Sequence, residues 1–244
     1  MELFCIIHRL AETGHDNPKE LPKYINDIEN YFGSYRNHRA VKLAKKLWET
    51  HRINVSALST LAVYLDAPPD LIPRNLLNPL PAELDNRWTV ELVSEYIEAS
   101  KDFARDTKFM EFFHSQEELY SRATMNLKRC LDDENMIEWF RDYFGYVPNN
   151  YTIIIGMQTG WGNYGASISS QDSTREFYSI IGAHAPFFWN DVPRFSSKDV
   201  TWIVVHEFCH PYINPLVENQ RELFREAGEL LYPYHEEVLS KTGT

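Results

Sequence analysis

His206, Glu207 and His210 are the residues whose types and spacing point most directly to chemistry, in the run His206-Glu207-Phe208-Cys209-His210. On an α-helix, residues four apart lie on one face a turn above each other, so His206 and His210 can each offer an imidazole nitrogen to one metal ion. Glu207, one step after the first histidine, then lies where its carboxylate reaches a metal-bound water rather than the metal, which suits a general base. Zn2+ fits such a donor set: it brings the pKa of its water toward ~7 and polarises a scissile carbonyl. The expected reaction is metal-assisted hydrolysis of a peptide bond, with Glu207 taking the proton and returning it to the leaving amine.

Random placement of 9 histidines and the chain's glutamates over 244 residues yields the pattern roughly 0.03 times, so the motif needs support from its surroundings. That support is an apolar helix start before it, small strands before that, and a Gly-containing turn beside a strand that offers an edge to an extended peptide. The bland reading is two hydrogen-bonded histidines on an ordinary helix. It leaves a buried Glu207 without a cation, which is costly.

A catalytic zinc normally takes a third protein ligand. The segment from Val217 to Leu231 reads as a second helix carrying Glu218, Glu222, Glu226 and Glu229. Glu229 is the first choice, because its spacing after His210 resembles that of the gluzincin class of zinc peptidases, where a glutamate on the next helix completes the site. The alternative is the wet face of an amphipathic helix. Tyr232, Tyr234 and His235 are candidate oxyanion donors, each with a packing role as its alternative. Cys209 points about 100° away from His210 and reads as a small packed residue. Asn214, before Pro215, reads as a helix stop whose amide is also placed to hold a metal ligand from behind.

Positioning these residues requires a scaffold, and the periodicity predicts an α+β chain. Apolar residues recur at helical spacing in four short helices up to about Asp66, and again over 89–106, 107–129 and 135–144. Pro68, Pro69, Pro73, Pro79 and Pro81 exclude a helix between these groups. Tyr151 to Gly156, Tyr164 to Ile168 and Phe177 to Gly182 read as strands. Ser196-Ser197-Lys198-Asp199 supplies capping chemistry for a helix from about Asp199 to His210. Residues 1–145 form a mainly helical portion and 146–244 a small sheet, the motif helix and a following helix, read as one continuous domain.

A net charge of -11 disfavours binding to nucleic acid or an anionic membrane and leans toward substrates that are not strongly acidic. Arg39, Lys42, Lys45 and Lys46 read as a solvated helix face. Cys5, Cys130 and Cys209 are too few and too scattered for a disulfide framework. No apolar run approaches the ~18 residues of a membrane span, and Met1-Glu2-Leu3 opens into amphipathic helix without a basic n-region, so the sequence as given leads to a cytoplasmic protein or one whose targeting segment lies elsewhere.

The stretch from Val205 to Leu216, with its HEFxH and Asn214-Pro215, and the opening Glu2 to Ala11 resemble a bacterial family built on a domain of unknown function and regarded as zinc metallopeptidases. The resemblance implies a zincin-like, gluzincin-like catalytic domain, zinc held by His206 and His210, Glu207 as base, and an extracytoplasmic location. It also implies a third ligand either at Glu229 or C-terminal to the sequence given. A helical protein-binding module with a structural or degenerate metal site is the rival of a different class, and hydrolysis of a non-peptide amide a third reading.

Overall fold

The structure, a computed structural model, describes residues 1–13, 21–131, 135–159, 162–170, 174–183, 188–189, 192–193, 195–220, 222, 225 and 228. The first four helices arise as their periodicity predicts: α1 (Glu2–Leu10), α2 (Pro22–Phe32), α3 (Arg39–His51) and α4 (Val55–Val63). Local chemistry sets their ends. Pro22 occupies the first turn of α2, where its missing N–H costs nothing. The Asn54 side chain accepts from Ala57 N–H at the start of α4 (3.3 Å), and Arg52, left-handed at φ 56°, ends α3. Arg39, Lys42, Lys45 and Lys46 are solvent-exposed on α3.

The proline-rich stretch is irregular, held by an isolated bridge between Leu65 and Pro73. Then follow α5 (Val90–Asp106), α6 (Phe109–Ser115), α7 (Glu117–Leu131) and α8 (Met136–Phe144). The single helical segment expected over 107–129 is thus two helices. Ser115 Oγ donates back to the Phe112 carbonyl (2.6 Å) and Gln116 leaves the helical region, its side chain donating to Asp27 instead (3.3 Å).

Strands β1 (Asn150–Gly156), β2 (Tyr164–Ser169) and β3 (Arg175–Gly182) form a mixed sheet in the order β1-β3-β2, with β1 parallel and β2 antiparallel to β3. Strands β4 (Phe188–Trp189) and β5 (Val192–Pro193) make a two-stranded ladder that periodicity is too short to announce. Alternation along β3 sends Tyr178 and Ile180 into the larger apolar cluster with the N-terminal helices, and Phe177 and Ile181 into a second cluster on the opposite face. The fold is α+β with a small mixed sheet, and no helix among the described residues is long and apolar enough to cross a membrane.

The second cluster is organised by α9 (Ser197–Asn219), whose Val200, Val204, Phe208 and Tyr212 form a four-residue stripe against Phe140, Phe177 and Ile181. Two expectations are corrected here. The helix does not stop at His210 or Asn214; it runs through Pro211 and Pro215 to Asn219. An interior proline costs about 3 kcal/mol through a lost hydrogen bond and a steric clash. Against it stand Phe208 and Tyr212, whose burial contributes about 1.5–3 kcal/mol each. Tyr212 also stacks on Phe144 (centroids 4.0 Å apart) and donates to the Tyr146 carbonyl at 3.2 Å. Ser196 occupies the N-cap of α9 without a side-chain hydrogen bond; its carbonyl accepts from Val200 N–H at 2.9 Å. Of the expected second helix, Glu222 and Arg225 are helical and joined by an ion pair of 2.7 Å.

A polar network ties α1 to the sheet. The Glu2 carboxylate accepts from Tyr24 Oη and Gln158 Nε2, both at 2.8 Å, while Gln158 Oε1 accepts from Arg9 Nε at 2.9 Å. Burial raises the Glu2 carboxyl above the ordinary carboxylate range, outweighing these bonds. The folded chain therefore holds more protons here than the unfolded one, so Glu2 lowers stability progressively as pH climbs from the unfolded value of ~4.3 toward its raised folded value. Glu2→Gln is expected to flatten that decline, and thermal melts at pH 4.5 and pH 7 on both proteins check it.

Candidate metal centre

Helix α9 lies against β2 and β3, which sets how its side chains meet the sheet. At about 100° per residue the buried stripe leaves His206 and His210 outward, with Glu207 turned toward β2. The two imidazoles stand edge to face with centroids 5.0 Å apart, as expected for positions one turn apart. Glu207 Oε2 approaches His210 Nε2 to 3.7 Å. One ligand atom from each of His206, Glu207 and His210 lies within 4.8 Å of the others, which gathers the three sequence-predicted residues into a single group able to hold a metal.

The environments of the three side chains differ. Glu207 is only 5% exposed, and among the described residues its Oε2 has no hydrogen-bond partner. Leaving a carboxylate oxygen so placed costs several kcal/mol unless a cation or a proton donor meets it. Burial pushes the Glu207 carboxyl above its ordinary range, and the nearby His210, His206 and the Gly165 N–H, each pulling the other way, do not cancel it. His210 Nδ1 lies 3.3 Å from Asn214 Oδ1; with Nδ1–H as donor, Nε2 keeps its lone pair for a metal. Asn214 is not the helix stop its place before Pro215 suggests, but it does back a candidate ligand. The residues thus fit a divalent ion: two imidazole nitrogens, one held in tautomer, beside an orphaned buried carboxylate oxygen.

Gly165 makes this arrangement possible. A Cβ there would stand 2.2 Å from the Glu207 carbonyl oxygen and 2.7 Å from His210 Cβ, so only glycine lets β2 come this close to α9. The same residue donates its N–H to the Glu207 carboxylate. Pro211 completes the fit: it has no N–H to give the Glu207 carbonyl, which is left facing the Gly165 backbone. Tyr164, half-buried, sits close enough that burial, with Cys5 and Glu207 adding, pushes its phenol up to about 12. The sequence signal for Gly165 was an isolated glycine inside a strand, a sign of close backbone approach; Tyr164 carried no signal.

Cys209 is half-buried with its thiol raised by burial and lies outside the group, as its direction on the helix predicts. Glu229, Tyr232, Tyr234 and His235 lie outside the described residues. The three cysteines are free thiols.

Residues 16–241 match the family model described as Domain of unknown function (DUF4932). No curated protein and no solved structure matches the chain.

Two substitutions probe the geometry. Gly165→Ala is expected to destabilise the fold by about 1–3 kcal/mol through overpacking and to weaken metal binding, seen together in denaturant melts and zinc titration. Asn214→Ala is expected to leave the thermal midpoint nearly unchanged while lowering zinc affinity roughly 10–100-fold, measured with a competing chelator.

Proposed function

The chain belongs to the DUF4932 family, and from that premise we propose that it is a zinc-dependent peptidase of zincin-like design, with His206 and His210 holding the ion and Glu207 as general base. One observation carries the reading: a buried carboxylate oxygen with no hydrogen-bond partner among the described residues, turned toward His210 of a histidine pair one helical turn apart. When bound, zinc supplies a positive charge that acidifies water and polarises a carbonyl.

The chain's own residues account for the rest. Glu207, raised in basicity by its burial and steadied by the Gly165 N–H, takes the proton from the attacking water and delivers it to the leaving nitrogen. Asn214 orients His210. Among the described residues β2 is one of the two edge strands of its sheet, and Gly165 lies within it against the motif, so an extended peptide pairing along β2 brings its main chain to Glu207. The substrate class is therefore polypeptide. Glu229, with 18 intervening residues after His210, is the proposed third ligand. A binding module with a purely structural metal leaves the basicity of Glu207 without use and does not need the strand edge beside it.

Glu207→Gln is expected to retain zinc while kcat/KM on an unfolded protein substrate falls about 10²–10⁴-fold. His206→Ala is expected to lose the zinc as well. Metal content by atomic emission and a fluorescent casein assay on all three proteins test this. Loss of zinc from Glu207→Gln, or zinc-replete wild type that cleaves nothing, contradicts the proposal.

A further inference from the structure

Helix α9 carries on its outward face a feature that metal binding does not explain. From Val200 to Val217 the only formally charged residue is Glu207, and it is turned inward, although the chain as a whole has 35 acidic and 24 basic residues. Large apolar side chains occupy the outward positions instead. Trp202 is 70% exposed, and Ile213, Leu216 and Val217 are exposed as well. Trp202, His206, His210, Ile213 and Val217 recur every three or four residues, which places them in one stripe, with apolar groups above and below the two histidines. Trp202 is in ring contact with His206, their centroids 6.4 Å apart. An indole left in water beside this imidazole keeps a large apolar surface hydrated until something apolar covers it.

We propose that Trp202 forms the wall of a subsite for a large apolar side chain of the peptide substrate, next to the bond being cut. The proposal rests on the peptidase reading of His206, Glu207 and His210. Its occupant follows from position and chemistry: the indole is in ring contact with His206, so a side chain flanking a bond held at the metal group lies within its reach, and apart from Asp199 one turn before Trp202 the face carries no charge, which favours a residue such as Phe or Leu over Asp or Ser. Trp202 is thus a specificity-determining residue, with no part in proton transfer.

The test uses zinc-replete wild type, Trp202→Ala and Trp202→Phe on a set of quenched fluorescent peptides that vary only the residues flanking the scissile bond. Wild type is expected to prefer Phe or Leu over Ser at one flanking position by at least about tenfold in kcat/KM. Trp202→Ala is expected to reduce that ratio to about twofold, with zinc content and thermal midpoint unchanged, and Trp202→Phe to restore most of it. An unchanged ratio in Trp202→Ala overturns the subsite while leaving the peptidase reading intact. Absence of cleavage of every peptide by wild type overturns both. Sedimentation showing a dimer that Trp202→Ala dissociates also overturns it, since the face is then a contact between copies of the chain.

Discussion

A carboxylate withdrawn from water beside two imidazoles is the constraint on which this structure turns. Glu207 can occupy that position only because a helix and a strand touch almost backbone to backbone, and they do so at Gly165. Their contact gives the Glu207 carboxylate one donor and leaves its second oxygen to whatever lies between the histidines. A fold that places such a group without a partner sacrifices stability locally, and sites of this kind recur where chemistry needs a raised basicity. The remainder of the chain supplies the stability that makes the sacrifice tolerable: two apolar clusters, one on each face of the sheet.

Helix α9 connects this local economy to the whole molecule. Its inner stripe is anchored by aromatic rings, with Phe140 and Tyr212 stacked at 5.7 Å and Phe208 set edge-on to Tyr151 at 5.0 Å. That anchoring keeps the helix regular across two prolines, and so keeps Asn214 one turn beyond His210, where it can back the imidazole. The prolines serve the site as well as burdening the helix. Pro211 withholds a donor from the Glu207 carbonyl, and the strand glycine fills the space beside it. On the far side, Glu2, Tyr24, Arg9 and Gln158 fasten the segment that follows β1 and leads toward β2 to the helical half.

How far the sequence foretold this follows from the range of each interaction. His206, Glu207 and His210 were legible because their relation is set within one helical turn, and the β-branched run Thr152 to Ile155 announced β1 for a similarly local reason. What failed was decided at long range. Pro211 and Pro215 stop most helices, but here the packing of Tyr212 and Phe208 overrides the backbone preference. The break at Gln116 depends on Asp27, and the ladder of β4 and β5 on a contact with α7, where Asn126 donates to the Pro193 carbonyl at 2.8 Å. The role of Gly165 appears only when strand and helix are brought together, and the apolar character of Trp202 becomes informative only once it is seen to be exposed.

The most direct examination of the central claim is X-ray absorption at the zinc edge on stoichiometrically loaded protein, compared with the same protein carrying His210→Ala. Imidazole scattering from two histidines at about 2.0 Å is expected in the wild type, and loss of the bound zinc in His210→Ala under the same loading. A zinc shell without imidazole scattering, or one that His210→Ala leaves unaltered, contradicts it.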